Sequence, residues 1–337
     1  MSDQPALEER HERNFWVRAG ALAALGIVIM GLLGVALLSI SHAPTAHHVP
    51  VAYVGSTTGQ EALAGEVGSS LDVLPYATRA AAVLAIRRLD VYGALIVQAS
   101  GTELLKSTAA SPQVASVLTA LASTRGGKTA TLTITELSPL PAADSSGGSL
   151  GVMLQVVVLV GIVGALGLGR LVPRYQANWT RGELPVLFLV LYALVVGVGT
   201  AAVSRGFGVG ENPDFLKLAA CLALINLAVT AAISALVSVI GSAGSVIGGL
   251  LFFLLGSPSS GAATALPLLP PAWRDVGQAL PPGAGATLLR RVLYFPAASI
   301  GTQILTLGLY AGIGILVLGA VNLVAGARRR HSLVNLA

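Results

Sequence analysis

The sequence predicts a polytopic α-helical membrane protein. It has six transmembrane helices, an extracytoplasmic α/β domain between the first two, and two short re-entrant helices before the last. Three observations predict this. Hydrophobic residues make up 54% of the 337-residue chain and charged residues only 10%, against about 25% charged in a soluble domain. The segments 151–169, 184–204, 218–256 and 297–327 contain no Asp, Glu, Lys or Arg, and a hydrocarbon core of about 30 Å takes roughly 20 apolar residues as helix. The interval 43–149, by contrast, carries ordinary charges and alternating patterns.

Residues 1–18 are polar, mixed in charge, and read as a cytoplasmic segment. Arg10, Arg13 and Arg18 precede the apolar run 19–40, the first span. That run exceeds the 7–15 residues of a signal-peptide core, and Pro44 follows the loosely cleavage-like Ser41-His42-Ala43. It reads as an uncleaved anchor. Within 43–149, Val49–Val54, Leu71–Tyr76, Val91–Gln98 and Thr129–Leu137 have the β-branched or alternating character of strands. Gln60–Ser69, Thr78–Leu89 and Pro112–Ser123 read as helices. Strands alternating with helices give a small α/β domain. Asp144–Ser149 (DSSGGS) reads as a flexible linker.

Residues 150–256 hold the second to fifth spans, at about 150–169, 184–203, 216–236 and 239–256. The segment 257–297 is rich in Pro, Gly and Ser. Pro267, Pro270 and Pro271 break the chain before a short helix at Ala272–Leu280. Pro281 and Pro282 break it again before a second at Ala284–Phe295, which carries Arg290 and Arg291. These two helices either dip into the outer leaflet or form a proline-rich external loop. The last span is 298–325, and 326–337 is a cytoplasmic tail. The flanks that fall inside carry nine Arg and the short outer loops five Arg or Lys, which places both termini in the cytoplasm and 43–149 outside.

The net charge of +5 is spread around the spans, so nucleic-acid binding is not expected. One cysteine, Cys221, excludes an intramolecular disulfide framework. Ala122–Thr129 (ASTRGGKT) imitates a phosphate-binding loop, but a helix precedes it and a strand follows, the reverse of what that loop needs. His42, His47 and His48 cluster without an acidic or Cys neighbour in sequence, so no metal site is expected. No catalytic set stands out, and the chain is not expected to be an enzyme or to bind a cofactor. Asn226, Thr230, Ser234 and Ser238 recur every four residues on one helix stripe, and Gln303, Thr306 and Tyr310 form another. Both stripes either line a substrate path or supply interhelical hydrogen bonds. Small residues at the same spacing (Gly161, Ala165 and Gly169; Gly244 and Gly248; Gly308 and Gly312) permit close helix packing.

The string SPSSGAATALPLLPPAWRDVGQALPPGAGATLLRRVLYF resembles the segment before the last span of type-2 ABC exporter permeases. Its matching positions are Pro258, Ser260, Gly261, Pro267, Pro270, Pro281, Pro282 and Arg290. A soluble domain between the first two spans, with VYGALIVQ after an Ala-rich helix, is similar to the phage-infection-protein branch, although Gln98 and Ala99 replace that branch's Ile-Pro. The resemblance implies a membrane-spanning permease subunit, homodimeric or paired with a related permease. It implies export of a lipid-like or amphipathic substrate from a bacterial plasma membrane, powered by a separate cytoplasmic ATPase that carries the ATP. It also implies an ATPase-coupling loop at 170–183, with Arg170, Arg174, Tyr175, Trp179 and Arg181. The alternative is a non-transporting membrane scaffold or surface receptor that acts through the outer α/β domain.

Overall fold

The computed structural model describes residues 4–41, 46–98, 101–125, 131–171, 179–210 and 213–334. They form two compact units, Met1–Ala43 and Pro44–Ala337. The first unit is a single helix, α1 (Gln4–Ser41), so the expected polar segment and first span run on without a break from residue 4.

The second unit opens with a five-stranded sheet. Its elements are β1 (Val49–Val54), α2 (Thr57–Val67), β2 (Leu71–Pro75), α3 (Arg79–Arg87), β3 (Gly93–Gln98), β4 (Gly101–Lys106), α4 (Pro112–Arg125) and β5 (Thr131–Glu136). The strand order is β2-β1-β3-β4-β5. All neighbours are parallel except the β3–β4 hairpin. The helices start where local chemistry lets them: Ser56 and Thr78 accept hydrogen bonds from the N–H groups of Gly59 and Ala81. Alternation sorts the strands into two faces. Val49, Val51, Tyr53, Leu95 and Leu104 pack with Leu63 of α2 and Leu118 of α4. Ala52, Ala94, Ile96 and Leu105 pack with Ala82, Ala85 and Ile86 of α3.

The expected strands and helices of this domain are all present within a few residues of their predicted limits. The strand β4 was not expected. Its sequence GTELLK puts a charge and a leucine on each face, which hides the alternation; Glu103 pairs with Arg79 at 2.8 Å and Lys106 with Glu136 at 3.7 Å. The expected flexible linker is also corrected. Ala142–Asp144 forms a 3₁₀ turn, and the buried Asp144 carboxylate accepts from Ser149 N at 3.2 and 3.3 Å. An acidic cap at a helix start holds this stretch, where composition suggested freedom.

The rest is helical: α5 (Gly148–Leu171), α6 (Trp179–Gly206), α7 (Phe215–Ile240), α8 (Ser242–Gly249), α9 (Pro271–Ala279), α10 (Pro281–Tyr294) and α11 (Gly301–Val334). Four stretches are long and apolar enough to cross a membrane: Gly148–Leu168, Pro185–Gly206, Phe215–Ile240 and Gly301–Val324. They correspond to the expected second, third, fourth and sixth spans. The other two expected spans contain only shorter apolar helices, Gly26–Ile40 and Ser242–Gly256. Ser242–Gly256 is α-helical to Gly249 and π-helical beyond it, so it reaches less than about 22 Å of a core of about 30 Å. Central α7 packs against α5, α6, α8, α10 and α11. After Gly241, α8 folds straight back along α7. A side chain at Gly244 would put its Cβ 2.4 Å from the Leu236 carbonyl carbon, so only glycine fits.

Candidate functional site

The site lies where the chain between α8 and α11 folds back into the helix bundle. From Leu250 to Gly256 the backbone is π-helical, a rare form that frequently marks functional sites. Carbonyls at the end of a helix lack intrahelical partners, and the serines that follow donate to carbonyls at and just beyond this end. Ser257 Oγ donates to Phe252 O at 3.4 Å, Ser259 Oγ to Leu255 O at 2.7 Å, and Ser260 Oγ to Ser257 O at 2.6 Å.

Three consecutive carbonyls, those of Ser260, Gly261 and Ala262, are taken by side chains from α9 and α10. Gln278 Nε2 donates to Ser260 O at 2.9 Å. Arg290 donates from Nη1 to Gly261 O at 2.9 Å and from Nη2 to Ala262 O at 3.0 Å. Thr287 Oγ1 donates to Gln278 Oε1 at 2.7 Å and fixes the amide. The backbones are almost in contact: a Cβ at Gly277 or at Gly283 would lie 2.0 Å from the carbonyl oxygen of Ser259 or Gly277, respectively. Pro281 and Pro282 open α10, where missing N–H groups cost nothing. Residues Pro281–Leu289 are all buried, as are Val292 and Leu293. Arg291 Nη1 donates to Ser299 O and to Gln303 Oε1; its buried Nε has no partner.

The same segment is joined to the sheet domain. Ala265, Leu268 and Phe295 belong to that domain's core. His47 N donates to Pro267 O at 3.0 Å, and Gln113 Nε2 to Ala263 O at 3.5 Å. Pro270 supplies the carbonyl that accepts from Arg274 N at 3.0 Å and begins α9. At this junction lies a small pocket, partly open to solvent. Its polar lining includes Thr108, Ser111, Gln113, Ser146, Arg290 and Tyr294. Nearby, Tyr92 is buried, and that burial pushes its phenol above the ordinary value.

Other expected site residues are placed elsewhere. Asn226 and Thr230 are fully buried between α7 and α5. Asn226 Nδ2 donates to Val157 O at 3.0 Å, Thr230 Oγ1 to Asn226 O at 2.7 Å, and Gly161 leaves room for both. The Ser234 hydroxyl is buried without a partner. Gln303, Thr306 and Tyr310 share the inward side of α11. Thr306 Oγ1 donates to Thr302 O at 3.0 Å, and Tyr310 meets Phe252 edge-on with centroids 6.0 Å apart. A Cβ added at Gly308 or Gly312 would meet nothing within 4 Å, whereas Gly248 packs on Ile233. Arg174 and Tyr175 lie outside the described residues, as do the side chains of Arg170, Trp179 and Arg181. So do His42 and residues 126–130 of the phosphate-loop mimic. His48 Nδ1 stands 2.8 Å from Asp72. No group of three His, Cys, Asp or Glu among the described residues could hold a metal.

Sequence reasoning found Arg290 and the prolines but not Gln278 or Thr287. Gln278 shares its side of α9 with Arg274 and Asp275, and Thr287 shares its side of α10 with Arg290 and Arg291, so neither stands out in the sequence. Compared with family models, with curated proteins and with solved structures, the chain matches none.

Proposed function

We propose that this chain is the membrane-spanning permease subunit of an ABC-type exporter. It moves a lipid-like or amphipathic substrate outward, driven by ATP on a separate cytoplasmic ATPase. The observation that carries the reading is the burial of α10 among α5, α7 and α11, with Arg290 pinned to the chain's own carbonyls. In this reading α9 and α10 are a re-entrant pair entered from outside. Gly285 packs on Ile225, well inside α7, while Leu293 reaches Gly210 at the loop before it. The shorter helix Ser242–Gly256 then rises only part of the way before the pair begins, and α1 supplies the remaining span of six. The sheet domain faces outward, both termini face the cytoplasm, and two copies assemble in a bacterial plasma membrane. The 170–183 connection is where the ATPase pushes.

A second reading, a scaffold or surface receptor, is favoured by the open edge of the sheet at β5, where Thr131 and Thr133 are exposed. Such an edge can accept a partner's strand. Pull-down of the tagged protein from its native membrane, followed by mass spectrometry, separates the two. The permease reading expects a stoichiometric ATPase with a true phosphate-binding loop. Its reproducible absence from an intact, folded preparation overturns that reading in favour of the scaffold.

A further inference from the structure

Four side-chain amides lie in the stretches long and apolar enough to cross a membrane: Gln155, Asn226, Gln303 and Asn322. Three are provided for. Asn226 is buried and donates to Val157 O, and Gln303 accepts from Arg291. Asn322 stands two residues from the end of its stretch, within reach of water. Gln155 is the exception. It is exposed on α5, seven residues inside the start of its stretch at Gly148, which is about 10 Å along the helix. Its amide has no hydrogen-bond partner among the described residues. The stem is too short to carry the amide out to water as a Lys or Arg stem does, and an amide left in hydrocarbon without a partner is costly.

The side chains around it form one stripe. Val152, Gln155, Leu159, Val163 and Leu166 follow three or four residues apart, and all are exposed, while the opposite side of α5 belongs to the bundle core. This is the spacing of a helix-to-helix seam with one polar position in it, and such a position fixes register and the number of strands. A carboxamide is both donor and acceptor, so two copies of Gln155 can satisfy each other, each Nε2 donating to the other's Oε1. Copies inserted in the same orientation are related by a two-fold axis along the membrane normal, where the same residue of each meets itself. The first apolar run offers the amide no partner side chain. Residues 19–38 contain no hydroxyl, amide or charge, and Ser39 beyond them spends its hydroxyl on Ala36 O. A lipid tail offers nothing either. We infer that the exposed stripe of α5 is the face on which a second copy of this chain docks, α5 against α5, with Gln155 paired to itself on the two-fold axis. This gives the two-copy assembly of the permease reading its interface, and it rests on that part of the reading alone.

The test uses the full-length chain with Cys221 replaced by Ser, in its native membrane. Single cysteines are introduced as Gln155→Cys and, at exposed positions of the neighbouring helices, as Val198→Cys in α6 and Leu309→Cys in α11. Oxidation with copper phenanthroline should cross-link the Gln155→Cys chain into a dimer and leave the other two as monomers. The dimer dissociation constant is then read in liposomes, by single-molecule photobleaching of the labelled chain diluted in lipid. Gln155→Leu sits at an exposed position and leaves the packing within one copy unchanged. It should raise the dissociation constant about tenfold, the loss of two interhelical hydrogen bonds per dimer. Gln155→Asn, a shorter amide that can still pair with itself, should recover part of that loss. Cross-linking through position 198 or 309 in place of 155, a monomer at every dilution, or a dissociation constant unchanged in Gln155→Leu overturns the inference. The ATPase pull-down is a separate readout. An α5 dimer that brings down no ATPase upholds this interface while the permease reading fails, and an ATPase-bound complex without the cross-link at 155 does the reverse.

Discussion

The sheet domain and the proline-bounded segment 257–300 solve one problem in opposite ways. Both bury backbone carbonyls that must be paired. In the sheet domain, strands pair each other in regular register, from Val51 with Val73 to Leu104 with Ile134, and side chains are free to form the core. In the segment no ladder exists. Gln278, Arg290 and three serines act as partners for single carbonyls. A buried polar residue in the segment is thus part of the backbone's own hydrogen bonding before it is anything else. Stability is therefore spread thinly over many residues in the domain and concentrated in a few in the segment.

That contrast can be broken by substitution. Arg290→Ala removes charged donors from two buried carbonyls and should destabilise the protein by at least about 3 kcal/mol, read as a lowered thermal midpoint or as failure to accumulate in the membrane. Gly277→Ala forces a Cβ against Ser259 O and should cost roughly 2 kcal/mol. In α7, Asn226→Leu should cost about 1 kcal/mol, the scale of an interhelical hydrogen bond in a membrane. Ser234→Ala, which removes an unpartnered hydroxyl, should be neutral or slightly stabilising. If Ser234→Ala were the more damaging of the two, the account of the α7 stripe as helix-to-helix bonding would fail.

A small, pH-dependent effect belongs to the domain. Glu103 donates nothing; it accepts from Arg79 at 2.8 and 2.9 Å and from Thr135. The Arg79 hydrogen bond holds its carboxyl below the usual carboxylate range. A depressed folded value means the stabilisation is complete above the unfolded value of about 4.3 and fades as pH falls through the lower folded one. Glu103→Gln should therefore cost at most about 1 kcal/mol at neutral pH, because the pair is partly exposed. The variant and the parent should converge in acid. Hydrogen exchange of α3 and β4 in both proteins, compared at pH 7 and pH 3, checks this.

The same contrast explains what the sequence could tell. The domain was legible because Val49–Val54 and Val91–Gln98 alternate against covered faces, and β4 was missed because Glu103 and Lys106 interrupt its pattern with charges that pair with α3 and with β5. The long apolar helices were legible from hydrophobicity alone. The segment's breaks were legible from Pro267, Pro270, Pro281 and Pro282. Its wiring was not, because which carbonyl Gln278 or Arg290 meets depends on a chain reversal that no local periodicity encodes. The junction was hidden for the same reason: Leu268 and Phe295 read as ordinary apolar residues, yet they complete the core of a domain more than a hundred residues earlier in the chain.

The sharpest test is whether the sheet domain and the proline-bounded segment share one side of the membrane. With Cys221 replaced by Ser, single cysteines are introduced as Glu61→Cys in α2, Asp275→Cys in α9 and Ser242→Cys at the α7–α8 turn, all exposed positions. Intact cells are then treated with a membrane-impermeant maleimide. The Glu61→Cys and Asp275→Cys proteins should be labelled from outside, and the Ser242→Cys protein only after permeabilisation. Labelling at position 61 but protection at position 275 until the cells are opened would contradict the shared outer face.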